Sequence, residues 1–219
     1  MLKQGKIVIA VDGPAGSGKG LLCRKLQNKY NLAHLDTGLL YRAVAYKLHE
    51  AGYQPEDEDM AVEMAEAILL QDTKNKNLRD ETLANMASIV SGYPDVRKAL
   101  LDFQRNFAKN PPEGKKGAVL DGRDIGTVVY PEADFKIYLT ASLEARAERR
   151  FKELQERKIE CIYDSILEGI AKRDRRDQER VEAPMVPADD AIIIDTSSLD
   201  PDRVLSKVIS VVELLQPSK

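Results

Sequence analysis

The sequence predicts an α/β fold, a mostly parallel sheet flanked by helices. Three observations carry that reading. Short, nearly continuous apolar runs recur along the chain, as buried parallel strands require. Long stretches with helical periodicity separate them, the alternation that builds a layered α/β core. The first apolar run, Ile7-Val-Ile-Ala-Val11, leads into Gly13-Pro-Ala-Gly-Ser-Gly-Lys19-Gly20 and then into the helix-like Leu21-Leu-Cys-Arg-Lys-Leu26. Strand, glycine-rich turn and helix in succession make a P-loop NTPase-type element, which holds a triphosphate.

The residue types of this loop suit that task. Glycines let backbone N–H groups point at phosphate oxygens with no side chain in the way. A helix start leaves N–H groups without partners, and its dipole favours an anion. Lys19 adds a point charge for the terminal phosphates. The expected ATP site is therefore Gly13, Pro14, Ala15, Gly16, Ser17, Gly18, Lys19, Gly20 and Leu21. The usual pattern puts Ser or Thr after the lysine, where its hydroxyl ligates magnesium. Gly20 stands there instead, so Mg2+ is expected to be held mainly by phosphates and water, with help from Asp12 or Ser17.

The remaining elements follow in order. Strands are expected at Lys6–Val11, Ala33–Asp36, Ala118–Leu120, Phe135–Leu139 and Ala191–Ile194. The core then comprises about 1–38, 111–148 and 188–219, within a single domain carrying two inserts. The first insert spans about 39–110. In it, Pro55 followed by Glu56, Asp57, Glu58 and Asp59 reads as a helix entrance, with acids at the positive end of the dipole. The polar stretch Gln71–Asn77 separates this helix from one near Arg79–Ser91. Pro94 opens another, with Val96, Leu100, Phe103 and Phe107 at helical spacing. The loop Asn110–Gly117 returns the chain to the sheet.

Ser142 is a candidate N-cap for a helix with Leu143, Ala147, Phe151 and Leu154 on one face. It leads into the second insert, about 149–187. A helix starting near Tyr163 carries Ile166 and Ile170, then Arg173, Asp177 and Arg180, on one face. An apolar stripe that turns into Arg, Asp and Arg aims those charges at a cleft. Arg175 is expected on the solvated face. Pro201 starts a last helix that ends before Pro217.

Composition narrows the class of partner. A chain of 219 residues can bury roughly 70% of its unfolded surface without staples. Cys23 and Cys161 have no metal or redox spacing and read as inert thiols in a reducing compartment. His34 and His49 belong to no recognisable constellation and read as surface or internally satisfied residues. The N-terminal apolar run is five residues long and ends at Asp12, which is no secretory segment. Nothing approaches the ~20 apolar residues that span a bilayer. A soluble cytoplasmic protein is expected, with no membrane partner.

The net charge of −3 argues against a nucleic-acid polymer as partner. Yet Arg146, Arg149, Arg150, Arg173, Arg175, Arg176 and Arg180 crowd one region. An acidic chain with a local arginine cluster suits a small anionic ligand.

Two further segments lie where ligands bind in parallel sheets, outside the carboxyl ends of the strands. Asp121-Gly-Arg-Asp124 follows the third strand and places Asp121 and Arg123 on the same rim as Lys19. Asp36-Thr-Gly-Leu-Leu-Tyr41-Arg42 follows the second, where Thr37 is an acceptor, Tyr41 a ring for a base or sugar, and Arg42 a phosphate fork. Phosphoryl transfer needs two anions aligned and the charge between them neutralised. Guanidinium forks on mobile segments do this and then release product. Arg173, Arg180 and one of Arg149 or Arg150 are the expected contacts.

Taken together, these blocks resemble the nucleoside monophosphate kinases, and more narrowly the bacterial cytidylate kinases. The matching residues are Asp12–Lys19, Asp36–Arg42, Ala87-Ser88 with Pro94-x-Val96-Arg97, Asp121–Val128, Arg173-Asp-x-x-Asp177-x-x-Arg180 and Ala183–Ala191, so nearly the whole chain is covered. The resemblance implies transfer of the γ-phosphate of ATP, with Mg2+, to CMP and dCMP by a monomeric enzyme. It implies that Thr37, Ser88, Arg97 and Asp121 line the pyrimidine pocket and that Asp177 and Arg173 address the sugar. Arg42, Arg123 and Arg180 would hold the monophosphate, and Arg149 and Arg150 would be lid arginines acting with Lys19 in catalysis. Departures are Gly20 and Leu21, where the family commonly has Ser or Thr nearby, and the stretch Leu70–Leu78, too short and polar for the family's small three-stranded sheet. Rival readings are a kinase for UMP, AMP or another small molecule, and a non-enzymatic ATP-binding module. A GTP switch is disfavoured because neither Asn-Lys-x-Asp nor Asp-x-x-Gly occurs.

Overall fold

The structure, a computed structural model, describes residues 6–214. Five strands form one wholly parallel sheet: β1 (Ile7–Asp12), β2 (Ala33–Asp36), β3 (Gly117–Gly122), β4 (Phe135–Thr140) and β5 (Ile192–Asp195). Their order is β2-β3-β1-β4-β5, with β1 central and buried throughout. All five expected strands occur, displaced by two residues at most at any end.

Side-chain alternation splits the core into two layers. On one face Ile7, Ile9, Val11, Val119, Ile137 and Ile194 meet Leu22 and Leu26 of α1 (Lys19–Tyr30) and Val204, Val208 and Val212 of α8 (Pro201–Leu214). On the other face Val8, Ala10, Leu35, Ala118 and Leu120 meet α2 (Thr37–Glu50), α3 (Glu58–Glu66), α4 (Glu81–Val90) and α5 (Pro94–Lys109). Leu26 and Leu40 are fully buried, one in each layer. Each such side chain contributes ~1.5–3 kcal/mol by leaving water. The sheet is thus clamped from both sides, and its carboxyl edge becomes a rigid rim.

Local rules set most helix boundaries. Ser142 caps α6 (Leu143–Glu156), its hydroxyl accepting from the Ala145 amide at 3.1 Å. Asp80 caps α4 by accepting from the Thr82 amide at 2.7 Å. Pro94 occupies the first turn of α5 and Pro201 that of α8. Pro217, the expected stop of α8, lies outside the described residues.

Pro55 is a correction. The chain makes a turn there and α3 starts only at Glu58. The Asp57 carboxylate turns back to accept from the Gln54 amide at 2.7 Å, which stabilises the turn in place of an earlier helix start. Between α3 and α4 the polar stretch forms two short 3₁₀ turns, Leu70–Lys74 and Lys76–Arg79, and no strand. Among the described residues no helix is long and apolar enough to cross a membrane.

Candidate active site

The loop between β1 and α1 is shaped by its backbone. Gly13 has φ 139°, and a Cβ there would stand 2.0 Å from the Leu139 carbonyl oxygen. Any side chain at Gly13 would therefore push the loop off β4. Gly18 ends the loop at φ 95°, a left-handed conformation that costs glycine little, and α1 begins at Lys19. The Lys19 ammonium folds back to donate to the Pro14 carbonyl at 2.8 Å. Burial pulls its pKa from 10.5 down to about 7, helped by the charge of Arg123.

Neighbouring elements brace the loop. Arg146, on the first turn of α6, donates from Nη1 to the Ala15 carbonyl at 3.2 Å and pairs with Asp174 at 2.6 Å. Arg149 donates to the Gly16 carbonyl at 3.2 Å and to Thr196 Oγ1 at 3.1 Å. The Thr196 hydroxyl in turn lies 3.0 Å from the Ser17 carbonyl. Sequence reasoning missed Arg146 and Thr196. Arg146 was visible only as one arginine in a crowd, and no local signal marks Thr196.

Asp12 is not placed as the sequence suggests. Its two carboxylate oxygens accept from the amides of Ile125 and Gly126, at 2.8 and 2.7 Å. They pin a π-helical turn, Ile125–Val129, to the end of β1. Burial nevertheless raises its pKa to about 7, outweighing the two amides. A carboxyl engaged in this way is a poor magnesium ligand. The hydroxyl of Ser17 differs: it is buried within the loop and has no hydrogen-bond partner among the described residues. The protein groups near the loop that fit a magnesium held mainly by phosphates and water are the Ser17 hydroxyl and the Asp121 carboxylate, the latter 3.5 Å from where a Cβ at Gly20 would stand.

Two cavities adjoin over the rim. The larger, about 1030 Å³, opens over Ala15, Gly16 and Gly18 and is walled by Arg149, Arg150, Leu154 and, on α7 (Tyr163–Glu179), Ile166 and Ile170. Leu21 is not among its lining residues and is 37% exposed. The smaller, about 80 Å³, is lined by Thr37, Tyr41, Arg42, Ser88, Arg97, Arg123, Asp124, Arg173, Asp177 and Arg180, among others. Arg42 and Arg173 line both. The structure therefore gathers residues from α2, α4, α5, the end of β3 and α7 into one pocket. Arg175 is exposed, as expected.

Charges in the smaller pocket satisfy one another. Arg123 donates to Asp177 at 2.9 Å, and Arg97 is hydrogen-bonded to Asp124. The Arg97 guanidinium also sits 5.9 Å from the centre of the Tyr41 ring. Arg42 donates to the Leu78 carbonyl at 2.8 Å; burial, and then the charge of Arg173, lowers its pKa to about 10. Glu81 holds Arg150 and lies 3.8 Å from Arg173. Not every donor is used. Arg173 Nε and Arg180 Nη2 are buried without hydrogen-bond partners among the described residues. Buried guanidinium donors left open are what an incoming oxyanion would fill.

Asp121 is the main correction to the expected site. It does not line the smaller pocket. β3 runs through Gly122, so Asp121 is inside the strand and not on the loop after it. Alternation turns its side chain to the α1 face, where its carboxylate lies 3.6 Å from His34 Nε2. Only its carbonyl turns toward the pocket region, accepting from Thr37 Oγ1 at 2.8 Å. Asp124, three residues on, supplies the pocket carboxylate. The repeated acid of Asp-Gly-Arg-Asp was the signal, and extending the strand by two residues would have selected the second.

Comparisons with known proteins identify the family. The family model described as cytidylate kinase matches residues 9–214. A cytidylate kinase of Paramagnetospirillum magneticum is 51% identical over 94% of this chain and 97% of its own length. One of Methylocella silvestris is 48% identical over 94% of each chain. The solved structure of an uncharacterised protein from Eubacterium ventriosum shares the fold, with a TM-score of 0.55 at 16% identity over 95% of this chain and 99% of that one. A phosphate loop facing an arginine-rich second pocket, and a family match spanning both, lead to one conclusion: the chain belongs to the cytidylate kinase family.

Proposed function

We propose that the protein transfers the γ-phosphoryl group of ATP to CMP, giving ADP and CDP, with dCMP as a second acceptor. The observation that carries this reading is the pair Arg42 and Arg173, which line both cavities. A triphosphate on the loop and a monophosphate in the smaller pocket would bring their phosphates together at these two guanidinium groups. An oxygen of the acceptor phosphate attacks the γ-phosphorus in line, and the bond to the β–γ bridging oxygen breaks. That nucleophile is already an anion, so no side chain is needed as general base.

The chain's own residues supply position and charge. Lys19 and the loop amides hold the donor. Arg123 and Arg180 hold the acceptor phosphate, and Arg149 and Arg150 close from the lid segment 149–187. Ser88, Arg97 and Asp124 read the base, the Asp124 carboxylate accepting from the exocyclic amine of cytosine. Asp177 addresses the sugar, and Arg173, which lines both cavities, spans from it to the phosphates. Magnesium, when bound, would neutralise the donor phosphates, and Ser17 and Asp121 are the residues placed to support it. All of these groups come from one chain, so a monomer suffices.

The test is a coupled assay offering ATP and magnesium with CMP, dCMP, UMP and AMP. CMP is expected to give the highest kcat/KM. A preference for AMP, or no diphosphate from any pyrimidine, overturns the reading.

A further inference from the structure

Two buried acids, Asp12 and Asp124, meet at one short turn, and they face different surroundings. Asp124 lines the smaller pocket, where its carboxylate is hydrogen-bonded to Arg97. Asp12 lines neither cavity. It ends β1, and parallel register sets it beside Gly122 of β3 on one side and Tyr138 of β4 on the other. Because β1 is the central strand, its last residue is held from both sides.

The turn Ile125–Val129 starts at Asp124. Inside it, the Val128 and Val129 amides donate to the Asp124 carbonyl at 2.9 and 3.1 Å, and the Tyr130 amide donates to the Ile125 carbonyl at 2.7 Å. The amides of Ile125 and Gly126 come too early to find partners within the turn. An aspartate at such a start ordinarily folds its carboxylate back onto the amides of its own turn. Asp124 makes no such bond. Asp12 takes both amides instead, one on each carboxylate oxygen, at 2.8 and 2.7 Å. The Asp124 carboxylate is thereby left for the pocket.

We propose that Asp12 is a positioning residue for the choice of acceptor base: by holding the two amides that follow Asp124, it keeps the Asp124 carboxylate turned into the smaller pocket. The inference rests on the proposed reading of Asp124 as the acid that accepts from the cytosine amine. Where cytosine carries that amine, uracil carries a carbonyl oxygen. A fixed carboxylate accepts from the first and repels the second, so it selects by both attraction and repulsion. Both effects depend on direction, because a hydrogen bond weakens steeply as its angle closes. Without Asp12 the two amides lose their acceptor, and the nearest replacement is the carboxylate of Asp124 itself. An Asp124 that caps its own turn no longer reads the base. Asp12 acts on selection while touching no substrate.

Gly126 permits the clasp. A Cβ there would stand 3.2 Å from Lys136 Cδ and 3.4 Å from Asp12 Oδ2, so a larger side chain would wedge the turn away from β1. The phosphate loop leaves β1 at Gly13, the residue after Asp12. The base-reading acid and the donor loop are therefore both referenced to one point of the sheet. Arg97 fixes Asp124 from the side-chain end and Asp12 fixes it from the backbone.

The test is steady-state kinetics on the full chain with CMP and UMP as acceptors, run as a double-mutant cycle. Asp12→Asn keeps the shape of the side chain but turns an N–H donor toward one of the two amides. It should lower the ratio of kcat/KM for CMP to that for UMP about tenfold, while the KM for ATP changes less than about twofold. Asp124→Asn should lower the same ratio, and Asp12→Asn added to it should lower the ratio no further, because the first acts through the second. A ratio unchanged in Asp12→Asn, with or without a fall in melting temperature, overturns the inference if Asp124→Asn reduces it. Full additivity of the two substitutions overturns it as well. A ratio unchanged in Asp124→Asn overturns the base-reading assignment itself, which keeps the two failures apart. If Asp12→Asn does not fold, glycolic acid built in at position 126 during cell-free translation exchanges one amide N–H for an ester oxygen. That change removes one of the same two hydrogen bonds, and an unchanged ratio there overturns the inference.

Discussion

The two cavities over the rim are built on opposite principles. The loop over Gly13–Lys19 is a backbone device, braced by Arg146, Arg149 and Thr196 and open to a cleft of about 1030 Å³. The smaller pocket is a side-chain device, drawn from five parts of the chain and held at about 80 Å³ with ion pairs among its own lining residues. Ligand pockets for molecules of nucleotide size run to roughly 300–1,000 Å³. The first cavity is therefore ready before its ligand arrives. The second must exchange internal pairs for contacts with the ligand, which makes its affinity a difference between two sets of charge-assisted bonds.

Breaking the backbone device should have the largest effect. Lys19→Ala is expected to lower kcat by ~10²–10³, the loss typical of one preorganised electrostatic donor. Steady-state kinetics on a variant with unchanged melting temperature measures this, and near-normal turnover would remove Lys19 from the site. Disturbing the side-chain device should act mainly on one substrate. Asp177→Asn and Arg97→Ala are expected to raise KM for CMP about tenfold, near 1.4 kcal/mol, with a far smaller change for ATP. Equal changes in both constants would mean that the pockets are not separate.

A third test sharpens the contrast through protons. In the empty protein Lys19 titrates near 7, below its ordinary 10.5, because burial disfavours its charge. Its folded form binds fewer protons than its unfolded form. Its contribution to stability is therefore full above 10.5 and is lost as pH falls through about 7. Donor phosphates restore the charge, so ATP binding at about pH 8 should take up as much as one proton. Calorimetry in two buffers of different ionisation enthalpy reads the uptake, and Lys19→Met should abolish it. Equal uptake in the variant assigns the proton elsewhere. The smallest expected effect is that of Thr196→Val, which removes one brace of the loop and should cost about 1 kcal/mol in urea unfolding. A cost near zero would show that Arg149 holds the loop without it.

What was legible in the sequence follows the same division. The loop, the five strands, the helix cap at Ser142 and the helix start at Pro94 are local, each fixed by residues adjacent in the chain. The pocket is not local, and most of its residues were reached through motif resemblance. Ser88, Arg97 and Asp177 meet only because α4, α5 and α7 pack over one rim. Asp121 shows the cost of a boundary error: two residues more of strand put its side chain on the other face. Asp12 was expected to help hold magnesium, but its oxygens hold a backbone turn.

Glu81 has a consequence for turnover. It stands 53% exposed at the first turn of α4, yet its carboxylate reaches Arg150 on α6 and approaches Arg173 on α7. The guanidinium groups are thus never left facing one another bare. If phosphates bind these groups as proposed, their departure would hand the guanidinium groups back to an internal anion, and a tight grip on product need not become a slow exit.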